Sequence, residues 1–137
     1  MPSDFVVDSC LLIEYFRARD KSATWLVRCI RNGQRMALSV VVLFEILAGA
    51  DAAQQDFWKG FLRGAVRLPF DERVAEIAAD IFRKLRQKNI RLESCDVFIA
   101  ATAIANDLPL MTLNRKHFEQ VDGLKLFCPE PTHSYNN

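Results

Sequence analysis

The chain has 137 residues, 50% of them hydrophobic and 26% charged, with a formal net charge of +1. That length and balance describe one folded domain with a core of its own and exclude both disorder and a dependence on disulfide or metal staples. The near-neutral charge excludes attraction of the whole molecule to nucleic acid or an anionic membrane, so any such contact must come from a local patch.

Four cysteines, Cys10, Cys29, Cys95 and Cys128, are far apart and form neither CxxC pairs nor a spacing suited to zinc. With no basic-plus-apolar leader and no apolar run near the ~20 residues of a membrane helix, the expectation is free thiols, a reducing cytoplasm and no membrane. Cys10 and Cys95 flank the acids Asp8 and Asp96. A redox-sensitive site is therefore weighed against ordinary buried packing.

In chain order, residues 4–9 (DFVVDS) read as a short β-branched strand ending at Asp8, followed by a helical pattern in Leu11, Leu12, Ile13, Tyr15 and Phe16. Asp8 thus falls at the carboxyl end of the first strand, where open α/β sheets bind ligands. On position alone it reads equally as a helix cap. Residues 17–35 set six basic side chains (Arg17, Arg19, Lys21, Arg28, Arg31 and Arg35) against one acid, Asp20, giving a basic helical surface that is either solvated or fit for a phosphate backbone.

Residues 36–39 predict a second strand closing on Ser39, an N-cap for the run 40–48, which ends at Gly49. Glu45 is the one charge in that run, and serves either a site or a narrow polar edge. Residues 51–64 predict a short amphipathic helix whose Phe57, Trp58 and Phe61 form an apolar surface suited to a core or a subunit interface. Residues 66–68 are a candidate strand that Pro69 places at a sheet edge. Asp71 caps the most regular helix, with Val74, Ile77, Ala78, Ile81, Phe82 and Leu85 along one stripe. Its basic end, with Arg83, Lys84, Arg86 and Lys88, suits the helix dipole and also RNA.

Residues 93–118 (ESCDVFIAATAIANDLPLMTLNRKHF) place Asp96 at the head of an apolar helix that must be interior, and return through a Leu-Pro pair into a strand at Leu110 and Met111. Residues 124–127 are a last strand. Alternation of strands and helices predicts a parallel α/β domain over 1–128 and a loose tail over 129–137. Asp8, Glu45 and Asp96 each lie where the carboxyl edge of such a sheet gathers side chains. Three carboxylates together need a counter-charge, and an all-oxygen set favours Mg2+ or Mn2+. His117 is expected to pack or cap a turn.

The ordered blocks VVDSCLLI, ALSVVVLFEILAG, CDVFIAATAIANDLPLMTLNRKHF and GLKLF resemble the PIN-domain ribonucleases, and among them the small VapC-type toxins of toxin-antitoxin pairs. The resemblance implies a three-layer α/β fold of five short parallel strands flanked by helices, and Mg2+-dependent cleavage of RNA. It also implies a cognate antitoxin as partner, DNA contact only through that antitoxin, and a homodimer. Asp8, Glu45 and Asp96 match the family's acids, and Asn114 stands at the fourth, often acidic, position. Thr112 reads equally as orienting water or a phosphate oxygen and as a strand-terminal hydroxyl that bonds backbone, with Ser9 in a similar supporting role. Two rival readings remain: a PIN-like module that binds RNA or a partner without cutting, and another acidic-site phosphohydrolase using Asp8 as phosphoryl acceptor.

Overall fold

The structure is a computed structural model that describes residues 4–127, so Cys128 and the expected tail over 129–137 lie outside the described residues. Five strands, β1 (Asp4–Val7), β2 (Arg35–Ser39), β3 (Val66–Leu68), β4 (Leu110–Met111) and β5 (Leu126–Phe127), form one sheet in the order β3-β2-β1-β4-β5. Every pairing is parallel, as the alternation of elements predicts. β3 is an edge strand, consistent with Pro69 immediately after it. β1 is central, and its Phe5, Val6 and Val7 are fully buried, as a strand covered on both faces requires.

Seven helices connect and flank the strands: α1 (Ser9–Arg17), α2 (Trp25–Arg31), α3 (Val40–Ala48), α4 (Ala52–Phe61), α5 (Glu72–Gln87), α6 (Ser94–Ala105) and α7 (Arg115–Phe118). Their starts follow from local chemistry. Ser39 accepts hydrogen bonds from the amides of Val41 and Val42, Asp51 forms a reciprocal capping box with Gln54, and Asp71 accepts from the Val74 amide. On α5 the predicted stripe is realised by buried Val74, Ala78, Ile81 and Leu85, while Phe82 is displaced to the surface at 47% exposure. In α6, Ile99, Ala100, Ala101 and Ala103 are fully buried, the small side chains letting neighbouring backbone approach closely.

Two surface expectations need correction. The aromatic cluster of α4 does not form an open apolar face: Trp58 is 4% exposed, Phe61 stacks on Tyr15 at 4.6 Å between centroids, and Phe57 and Trp58 both pack against Phe16. Aromatic side chains of α1 satisfy this cluster from within the same chain, and only Phe57 retains a substantial exposed edge. The basic stretch over 17–35 is likewise not one surface. Lys21 turns onto the carbonyls of Tyr15, Phe16 and Ala18 at the end of α1, and Arg35 pairs with Asp4 at the amino edge of the sheet. Asp4 begins β1 and Asp8 follows its end, so Arg35 belongs to the edge opposite Asp8.

Candidate metal centre

The chain direction reverses its march across the sheet at β1, which lies between β2 and β4. Parallel sheets bind ligands in the crevice beyond the strand ends at such a point. Asp8 follows β1 directly and Thr112 follows β4 directly. The amide of Asp8 donates to the Met111 carbonyl at 3.0 Å, which holds the two strand ends in register.

Asp8 is 3% exposed and caps α1. Its Oδ1 accepts from the Ser9 amide at 2.8 Å, and its Oδ2 accepts from the Thr112 hydroxyl at 2.7 Å and from the Cys10 thiol at 3.4 Å. Thr112 is fully buried, and its oxygen also accepts from the Asn114 amide at 3.0 Å. The structure thus commits the Thr112 hydroxyl to orienting a carboxylate, in place of the expected water or phosphate oxygen. Ser9 supports Asp8 through its backbone. Asn114 precedes α7, and its side chain does not cap that helix.

Glu45 comes from the middle of α3 and Asp96 from the first turn of α6, whose amino end favours a negative charge by about 0.3–1 kcal/mol. Burial pushes the Glu45 carboxyl above its ordinary range, and the charges of Asp8, Asp96 and Glu93 push it further. Asp96 is raised first by burial and then by Asp8, while His117 opposes the rise. The charges of Asp8 and Asp96 are thus felt at Glu45, and that of Asp8 at Asp96. His117 is not buried: its half-exposed ring lies 6.2 Å from that of Phe118, which fills the core position, and places Nε2 3.7 Å from Asp96 Oδ2.

Glu93 is an acid the sequence reading passed over. It precedes α6 without capping it through its side chain, and its charge is felt by Glu45, Asp96 and Cys95. The signal that could have found it is its spacing, one helical turn before Asp96. The two neighbouring thiols are both held protonated. Burial and then the charge of Asp8 push Cys10 up to about 12, and burial followed by Glu45 and Asp96 raises Cys95. Thiols held protonated are poor nucleophiles, so ordinary packing accounts for both.

Among the described residues no three His, Cys, Asp or Glu side chains stand close enough to make a ready-made metal cage. One atom nevertheless fits a cation: Glu45 Oε1 is buried with no hydrogen-bond partner, which is costly for a carboxylate oxygen. With Asp8 and Asp96 it supplies the all-oxygen donor chemistry that Mg2+ and Mn2+ prefer.

Comparison with known proteins agrees with this architecture. The PIN domain family model matches residues 5–124. Ribonuclease VapC10 of Mycobacterium tuberculosis is 35% identical over 129 residues, covering 93% of this chain and 96% of that protein. Ribonuclease VapC19 of the same organism is 30% identical over 120 residues, covering 88% and 96%. The structure of VapBC2 from Rickettsia felis bound to a DNA fragment from their promoter superposes with a TM-score of 0.81 at 20% identity, covering 93% of this chain and 99% of that one. The chain belongs to the PIN-domain family and, within it, to the VapC group.

Proposed function

We propose that this protein is an endoribonuclease dependent on Mg2+ or Mn2+, the toxin of a toxin-antitoxin pair, hydrolysing RNA phosphodiester bonds. The observation that carries the reading is the buried Glu45 Oε1, which has no hydrogen-bond partner and feels the charges of Asp8 and Asp96, with Asp8 itself held by hydrogen bonds at the carboxyl end of β1. The ribonuclease names of VapC10 and VapC19 support it.

Asp8, Glu45 and Asp96 are the residues that would hold the cation. Bound there, a divalent ion supplies Lewis-acid charge to a phosphate oxygen and lowers the pKa of water. The protein's own part is to fix and desolvate the acids. Three donors restrain Asp8, and because both of its oxygens already accept hydrogen bonds it is a weak nucleophile toward phosphorus. That favours hydrolysis by water over a phosphoryl-aspartate. The water oxygen would form the new bond to phosphorus and give up a proton, the bond from phosphorus to the leaving ribose oxygen would break, and that oxygen would take up a proton, so protons balance.

Asp8→Asn and Asp96→Asn are expected to abolish Mg2+-dependent cleavage of RNA by purified protein while leaving the fold intact by circular dichroism. Full cleavage by either variant overturns the assignment. The reading includes a cognate antitoxin that blocks the cleft, DNA contact only through that antitoxin, and a homodimer. Since the α4 aromatics are satisfied internally, the dimer rests on the VapC resemblance, and a monomer in sedimentation at micromolar concentration would remove it. Among the described residues no helix is long and apolar enough to cross a membrane.

A further inference from the structure

A groove of about 870 Å3 runs between the carboxyl end of α5, the connection to α6 and the start of α7. Its lining includes Phe82, Arg86, Arg91, Leu92, Glu93 and His117. The last two carry it toward Asp96, since His117 Nε2 lies 3.7 Å from Asp96 Oδ2 and Glu93 immediately precedes the helix whose first turn holds Asp96. The groove is therefore continuous with the candidate metal centre.

The cations of this region sort into two sets. Arg83 and Lys84 pair with Asp80, and Lys88 pairs with Asp122. Arg86 and Arg91 have no acid partner among the described residues, and these are the two that line the groove. Arg86 sits in the last turn of α5, where the helix dipole gives a structural reason for a cation. Arg91 lies beyond the helix end, outside the reach of that reason. Beside them Phe82 presents a 47% exposed ring, an aromatic face on a surface that the core stripe does not need.

Two unneutralised guanidinium groups with an open aromatic ring, in a groove leading to acids, have the chemistry of a single-strand nucleic-acid path. We propose that this groove carries single-stranded RNA toward the acids, Arg86 and Arg91 binding successive backbone phosphates and Phe82 stacking on a base. The inference rests on the ribonuclease reading above and names the path its substrate takes. Arg86 and Arg91 act as positioning residues. They offset the repulsion between the phosphate backbone and the carboxylates, which a strand entering from solvent meets before any cation can bridge the two.

The test is fluorescence anisotropy of a labelled single-stranded oligoribonucleotide with full-length protein in EDTA, over a range of salt concentrations. Arg86→Ala/Arg91→Ala is expected to weaken binding about 10- to 30-fold near 0.1 M salt and to reduce the slope of log K against log salt by about 1.4, two phosphate contacts' worth. The charge-retaining Arg86→Lys/Arg91→Lys keeps most of the slope. The control Arg83→Ala/Lys84→Ala, whose cations Asp80 already offsets, keeps slope and affinity. In Mg2+-dependent cleavage the alanine pair raises KM more than it lowers kcat. An unchanged slope, or an equal loss in the control, overturns the proposal. An unchanged slope with self-association lost makes the groove a protein interface and also overturns it. Wild-type protein that binds RNA with this slope yet cuts none defeats the ribonuclease reading alone.

Discussion

The Thr112 hydroxyl donates to Asp8 Oδ2 at 2.7 Å, and both groups are buried. This contact joins the carboxyl ends of β1 and β4 across the point where the sheet order reverses. It fixes the rotamer of the carboxylate that is deepest in the cleft, while the Asn114 amide, donating to the same hydroxyl, ties the start of α7 to it. A carboxylate held this way can face a cation without reorganising.

Thr112→Val keeps the shape and removes the hydroxyl. It leaves a buried carboxylate oxygen with only the weak Cys10 thiol as donor, at a cost of about 1–3 kcal/mol in stability. Loss of a group that orients a ligand lowers metal affinity or activity about 10- to 100-fold. Urea unfolding and RNA-cleavage rates should show both effects, with Thr112→Ser restoring most of each. A Thr112→Val protein of unchanged stability and rate would mean that the hydroxyl is incidental.

The raised carboxyls of Glu45 and Asp96 predict how stability depends on pH and cation. Folded protein holds these protons to higher pH than the unfolded chain does, so the metal-free protein loses stability as pH rises from the ordinary carboxylate range through the raised values. Below the ordinary range that penalty is absent. A divalent cation needs the ionised acids and offsets the penalty, so Mn2+ should raise Tm more at pH 7.5 than at pH 5. At ten times its Kd the gain is about 1.4 kcal/mol, and Glu45→Gln should remove most of it. An equal Mn2+ effect at both pH values would count against the acids as its ligands.

Much of the fold was legible because it depends on local chemistry. Ser39, Asp51 and Asp71 mark helix starts through short-range capping, and the period-2 and 3.6 patterns locate β1, β2 and α5. Asp8, Glu45 and Asp96 stand out in the sequence through their position at strand ends and in apolar runs. What the chain did not reveal depends on distant partners. Thr112 and Asp8 are 104 residues apart, so nothing local says that the hydroxyl is taken. Tyr15 and Phe16 cover the α4 aromatics from another helix, and Asp4 claims Arg35 across a strand pair. His117 looked like a packing residue because Phe118 beside it is one, but successive side chains on a helix point about 100° apart, so Phe118 is buried while His117 stays exposed.

Ser39 offers a test of the scaffold apart from the chemistry. Its fully buried hydroxyl accepts from the amides of Val41 at 3.0 Å and Val42 at 3.4 Å, setting the start of the helix that delivers Glu45. Ser39→Ala should cost about 1–2 kcal/mol, read as a lower urea midpoint at unchanged m. Because the cap acts one turn before Glu45, cleavage per folded molecule should change far less than stability. A large rate loss at full stability would show that the cap's main effect is on the site.

Asn114 is where the acidic pattern ends. It follows Thr112 on the β4 side of the cleft, it is exposed, and its amide is held by the Thr112 hydroxyl, so its backbone position is fixed while its side chain leaves the helix uncapped. Asn114→Asp changes an amide to a carboxylate of the same size. It adds a further negative charge near acids whose pKa values burial and repulsion already raise, Glu45 and Asp96. Two consequences follow with opposite sign. Without cation the variant should be less stable at pH 7.5 than the parent, and the difference should shrink toward pH 4 as the added acid protonates. With Mn2+ the extra anionic ligand should move the midpoint of the thermal-shift titration to lower concentration, about threefold or more for a gain of roughly 0.7 kcal/mol by the usual conversion of free energy to affinity. Isothermal titration would then separate a tighter first ion from a second one by stoichiometry. Identical midpoints for the two proteins would place Asn114 outside the cation's reach and leave the site to Asp8, Glu45 and Asp96.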